Sequence, residues 1–95
     1  MFDTSTVSNP SELGFSTERT LNLIKVLQSE VDKGRLPGAV ALIARRGRVL
    51  LHEALGHQDP ATGKSMALDS IFRIYSMTKP VVSVATMVMM ERGQL

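Results

Sequence analysis

Ser76 and Lys79 stand three residues apart in Ser76-Met77-Thr78-Lys79, at the head of a long apolar run. If that run is helical, positions i and i+3 share a face, so the lysine amine can fold back to the serine hydroxyl. A serine hydroxyl is a weak nucleophile at neutral pH and needs a proton acceptor beside it. An amine serves as that acceptor only when its charged form is penalised, which burial in an apolar pocket achieves. A helix beginning at Ser76 would also aim free backbone N–H groups, and the positive end of the dipole, at a developing oxyanion. The plainer account makes Ser76 a helix cap and Lys79 a solvated first-turn residue, yet a cation at that end of a helix is unfavourable and needs some other reason. Pro80 suits a first helical turn on both accounts. Four residues of this kind arise readily by chance, so their context must decide.

Other residues offer less. His52, His57 and Asp59 could be taken as a metal set or part of a triad, but a turn-rich stretch follows His52 and no third ligand stands out, so surface histidines are expected and no metal. Arg45, Arg46 and Arg48 cluster at a chain reversal without interleaved aromatics, which fits a solvated turn and not a nucleic-acid contact. The methionines Met77, Met87, Met89 and Met90 read as core filler more readily than as a binding surface, Met77 having the second reading that follows. Tyr75 and Met77 flank Ser76 and are expected to line a substrate pocket. A nucleophile elbow of the G-x-S-x-G type is absent around Ser76.

The composition narrows the classes further. The 95 residues carry no Cys, which excludes disulfide scaffolds, Cys-based zinc sites, iron–sulfur clusters and thiol nucleophiles. A net charge of +2 is too small to imply nucleic acid. The start, from Met1 to Pro10, is polar and carries an acid, unlike a secretory signal, and a cytoplasmic protein is expected. The longest nearly apolar stretch, Val81 to Met90, would rise only about 15 Å as a helix, too little to cross a bilayer, so no membrane partner is expected.

The elements that must position Ser76 read as α+β. Residues 1–15 are rich in Ser, Thr, Asn and Pro and are expected to form an irregular lead-in. Leu21, Ile24, Leu27 and Val31 then recur at helical steps, with Ser16 as N-cap and Lys33-Gly34 before Pro37 as the stop. Ala39 to Ala44 form an unbroken apolar run, as in a strand covered on both faces, and Arg45 to Arg48 return the chain into a second strand from Val49 to Leu55. Gly56 to Lys64 has a loop composition, and Ile71 to Ile74 is a short extended approach. From Ser76 to Arg92 a helix is apolar on nearly every face and must be enclosed. One helix and one hairpin cannot enclose it, so residues 16–95 are expected to be the front part of a larger domain, incomplete at the C-terminus, with the remainder of the same protein as its covering partner.

The stretch Ile71-Phe72-Arg73-Ile74-Tyr75-Ser76-Met77-Thr78-Lys79-Pro80, preceded by Pro37-Gly38 and followed by Glu91-Arg92-Gly93, resembles the N-terminal part of the serine β-lactamase and penicillin-binding superfamily. Within it the likeness is greatest to class C β-lactamases and family VIII carboxylesterases. The resemblance runs from about Ser16 to Leu95 and is far more specific than S-x-x-K alone. It implies an antiparallel sheet flanked by helices, with a buried helix carrying the nucleophile. It also implies that Ser76 is acylated, that Lys79 shares the proton transfer, and that no cofactor is needed. The substrate would be a small-molecule ester or amide, ester being favoured. A β-lactamase, D-amino-acid peptidase or acyltransferase, or a non-catalytic sensor or scaffold, stands as the alternative. The family's second motif, usually Tyr-x-Asn, and its third, an oxyanion-hole strand, lie outside these residues; Tyr75, adjacent to Ser76, does not match the second.

Overall fold

A computed structural model describes residues 3–95. The first long element is helix α1 (Thr17–Asp32). Ser16 caps it, its hydroxyl accepting from the Arg19 amide at 3.2 Å, and Glu18 sits in the positively polarised first turn. The helix stops where expected, with Lys33 at the C-cap and Gly34 left-handed.

Strands β1 (Gly38–Arg45) and β2 (Arg48–Asp59) form an antiparallel hairpin. Arg46 and Gly47 both have positive φ, the two-residue geometry whose twist matches that of paired strands. A third short strand, β3 (Lys64–Ser65), pairs antiparallel with the far end of β2, giving the sheet order β1-β2-β3. The fold is thus α+β.

Two boundaries depart from expectation. β2 does not end at Leu55 but continues through Gly56 to Asp59, because its backbone keeps finding partners: the His57 amide donates to the Pro37 carbonyl and the Met66 amide to that of Gly56. Gly56 marks a close approach and not a strand end. It sits at φ 71°, and a Cβ there would lie 2.6 Å from the Pro37 carbonyl oxygen. Ile71 to Ile74, by contrast, take up no strand.

The core is small and lies where α1 and the lead-in meet β2. Val49, Leu50 and Leu51 are buried in succession, at a register shift opposite Ile43 and Ala44 that lets consecutive residues point inward. Leu13 joins Leu50 and Leu51, with Phe15, Ile24, Ala41 and Ile43 packed around them. The lead-in is therefore partly structured: Pro10–Leu13 make a 3-10 turn capped by Asn9, and Ser8 donates its amide to the Val49 carbonyl. Arg45 fastens this corner, donating to the Leu13 carbonyl at 3.0 Å and lying over the Phe15 ring. Farther out, Asp3 accepts from the Ser5 hydroxyl and amide, which holds its carboxyl below the ordinary value.

The inner face of α1 keeps Ile24, Leu27 and Val31 half-buried as expected, and departs from expectation at its first turn. Thr20 is buried, its hydroxyl bonded to the Ser16 carbonyl, and Ile24 packs on the core, while Leu21 is 54% exposed. Likewise β1 is covered on one face only within these residues, leaving Leu42 exposed.

Candidate active site

The chain reaches Ser76 through the irregular segment after β3, every residue from Ile71 to Pro80 being exposed. A 3-10 turn spans Tyr75–Met77, closed by the Met77 amide donating to the Ile74 carbonyl at 3.0 Å. Helix α2 follows, from Thr78 to Glu91. The helix therefore starts two residues later than the sequence suggests, and Pro80 is the reason. An α-helix capped by Ser76 would need an N–H from residue 80 for the Ser76 carbonyl, and proline has none; its ring would also crowd that carbonyl. The chain enters instead through the tighter 3-10 turn, where the Thr78 amide donates to the Tyr75 carbonyl, and Met77 becomes the N-cap. Ser76 thus lies in the turn that feeds the helix.

Tyr75 makes this turn possible with a φ of 45°. Arg46, the other described non-glycine with positive φ, is explained by its hairpin. Tyr75 is in no hairpin, and the left-handed conformation costs an L-residue about 1–2 kcal/mol. Sequence reasoning missed this feature because a tyrosine gives no left-handed signal; glycine or asparagine would have.

Lys79 falls in the first turn of α2, one turn on from Ser76. Both side chains are exposed and, among the described residues, neither makes a side-chain hydrogen bond or ion pair. The apolar pocket expected around Lys79 is thus not supplied by these residues. The helix expected to be buried is exposed along its length, and among the described elements only the turn before it packs substantially against it. Tyr75 and Met77 are 80% and 70% exposed.

The cavities lie elsewhere. One of about 560 Å³ is bounded by Val31, Leu36, Pro37, Gly56 and His57 at the C-terminal end of α1. A cleft of about 230 Å³ between Gln58, Met66 and Ser70–Arg73 borders the approach to Ser76. His52 is placed within 3.3 Å of the Thr4 carbonyl through Nδ1, and the Asp59 carboxylate accepts the Ala61 amide in the loop to β3. Among the described residues no three His, Asp or Glu side chains gather as a metal site, and no helix is long and apolar enough to cross a membrane.

Residues 23–95, which contain this whole arrangement, match the family model described as Beta-lactamase. The chain belongs to the Beta-lactamase family. Its relatives include Esterase EstB of Burkholderia gladioli, 40% identical over 70 residues, which are 74% of this chain and 18% of the esterase. Protein Rv1367c of Mycobacterium tuberculosis is 41% identical over 64 residues, 67% of this chain and 16% of that protein. Protein flp of Staphylococcus aureus strain N315 is 30% identical over 71 residues, 75% of this chain and 14% of that protein. The chain thus spans less than a fifth of the length of these relatives. This family is the serine β-lactamase-like one that the residues around Ser76 resemble, and one of the chain's relatives is named an esterase.

Proposed function

We propose that these residues are the nucleophile-bearing part of a serine hydrolase that cleaves small carboxylic esters. The observation that carries this reading is the exposed tight turn that holds Ser76 one turn ahead of Lys79 in a Beta-lactamase family chain. The 40% identity to an esterase favours an ester substrate.

In this mechanism the Ser76 Oγ attacks the ester carbonyl carbon while its proton passes to the unprotonated Lys79 amine. The carbonyl π pair moves onto oxygen. As the tetrahedral intermediate collapses, the alcohol leaves with a proton returned from Lys79, and Ser76 remains acylated. A water molecule then attacks the acyl carbon while its proton passes to Lys79; as this second tetrahedral intermediate collapses, the bond to Ser76 Oγ breaks, Lys79 returns that proton to Oγ, and the carboxylic acid leaves with Ser76 and Lys79 restored. Lys79 can take the first proton only when its ammonium is desolvated, so the reading requires an apolar cover over the start of α2. The partner base and the second oxyanion donor would come from elsewhere in the complete protein.

The test is to treat the complete protein with a fluorophosphonate and map the labelled peptide. Label on Ser76 is expected; label on another serine overturns the assignment. Turnover of p-nitrophenyl acetate and butyrate should exceed that of nitrocefin, and efficient nitrocefin cleavage with negligible ester turnover would instead indicate a β-lactamase.

A further inference from the structure

Tyr75 combines two properties that pull against each other. Its φ of 45° suits glycine or asparagine, yet the position holds a bulky aromatic. Its ring is 80% exposed, so packing among the described residues does not account for the choice. The left-handed Tyr75 turns the irregular chain into the 3-10 turn, which the Met77 amide closes on the Ile74 carbonyl. Ser76 is the next residue along, so its Cα–Cβ direction follows from the φ and ψ of Tyr75. Strain that the surroundings hold in place concentrates where geometry matters to function.

We infer that Tyr75 is a positioning residue, whose left-handed backbone sets the attack direction of the Ser76 hydroxyl on the ester carbonyl. This rests on the proposed role of Ser76 as nucleophile. Attack geometry is steep in its effect on rate, a displacement of about 1 Å costing about 100-fold, whereas substrate affinity depends on contacts that a small tilt of Ser76 leaves alone.

The experiment compares Tyr75→Phe, Tyr75→Asn, Tyr75→Ala and Tyr75→Ile in the complete protein, reading kcat and KM for p-nitrophenyl butyrate, the fluorophosphonate labelling rate, and the melting temperature. Tolerance of positive φ should rank kcat and labelling rate. Tyr75→Phe retains both. Tyr75→Asn, which lacks a ring but accepts the left-handed region, keeps most of each. Tyr75→Ile, whose β-branch excludes that region, falls by about 100-fold in kcat. Asn then differs from Ile far more in kcat than in KM. If Tyr75→Ile does not fold, Asn against Ala decides, with Ala expected to be the slower. Ile equal to the parent, or Asn as slow as Ile, overturns the inference while leaving Ser76 as nucleophile. A parent protein that is not labelled at Ser76 overturns both readings together.

Discussion

The three-residue step from Ser76 to Lys79 was legible in the sequence, and the structure sets Ser76 in the 3-10 turn and Lys79 in the first turn of α2. What could not be read was the turn that precedes them, since its left-handed residue is a tyrosine and its 3-10 geometry follows from the missing N–H of Pro80. The proposed chemistry predicts that Lys79→Ala lowers kcat by about 100-fold to 10,000-fold with little change in melting temperature, because the amine transfers a proton while its stem contributes modest packing. Lys79→Arg should be nearly as slow, since a guanidinium does not surrender its proton. Steady-state kinetics on both variants check this, and a variant that keeps most of its kcat would place the base elsewhere. Ser16 is a purely structural counterpart: Ser16→Ala should cost about 1 kcal/mol of stability, seen by denaturant titration, without altering kcat.

At the scale of elements, α1 and the hairpin were readable from local signals: a cap, a helical period, a glycine stop and a two-residue reversal. The extension of β2 through Gly56 was not, because the glycine that looked like a breaker is required by a long-range neighbour. The glycines of the sheet therefore differ in a measurable way. Gly47 has φ 73° with open space around it, so Gly47→Ala pays only the backbone cost of about 1–2 kcal/mol. Gly56→Ala meets that cost and also drives a methyl into the Pro37 carbonyl, the Gly38 Cα and the Val31 side chain, all within 2.9 Å. It should lower the melting temperature markedly more than Gly47→Ala, and equal losses would show that α1 and β1 yield easily at that crossing. Arg46, left-handed but not glycine, predicts a gain: Arg46→Asn should stabilise the hairpin by about 0.5–1 kcal/mol.

For the whole molecule, the period of α2 in the sequence already required a cover, and the structure shows why the described residues do not provide one. The small core around Leu13, Leu50 and Leu51 gathers α1, the hairpin and the lead-in, and α2 has no place in it. Val81, Val84, Met87 and Met90 are each close to 60% exposed, on different sides of one helix. Burying a side chain of this kind is worth about 1.5–3 kcal/mol, so covering the helix changes the balance by several kcal/mol, comparable to the whole stability of a small domain. We propose that the remainder of the same protein supplies that cover and, with it, the dry surroundings that Lys79 needs to accept a proton. Residues 1–95 prepared alone should therefore bind a hydrophobic dye such as ANS, self-associate in sedimentation, and show no ester turnover above background. Charges placed on the apolar surface, as in Val84→Glu with Val88→Glu, should reduce both dye binding and association without restoring activity. In the complete protein the same pair should be severely destabilising, because there the charges would be buried without partners. A monomeric residues 1–95 that melts cooperatively and hydrolyses esters, or a complete protein indifferent to the two glutamates, would show that α2 works uncovered and that Ser76 needs no enclosure.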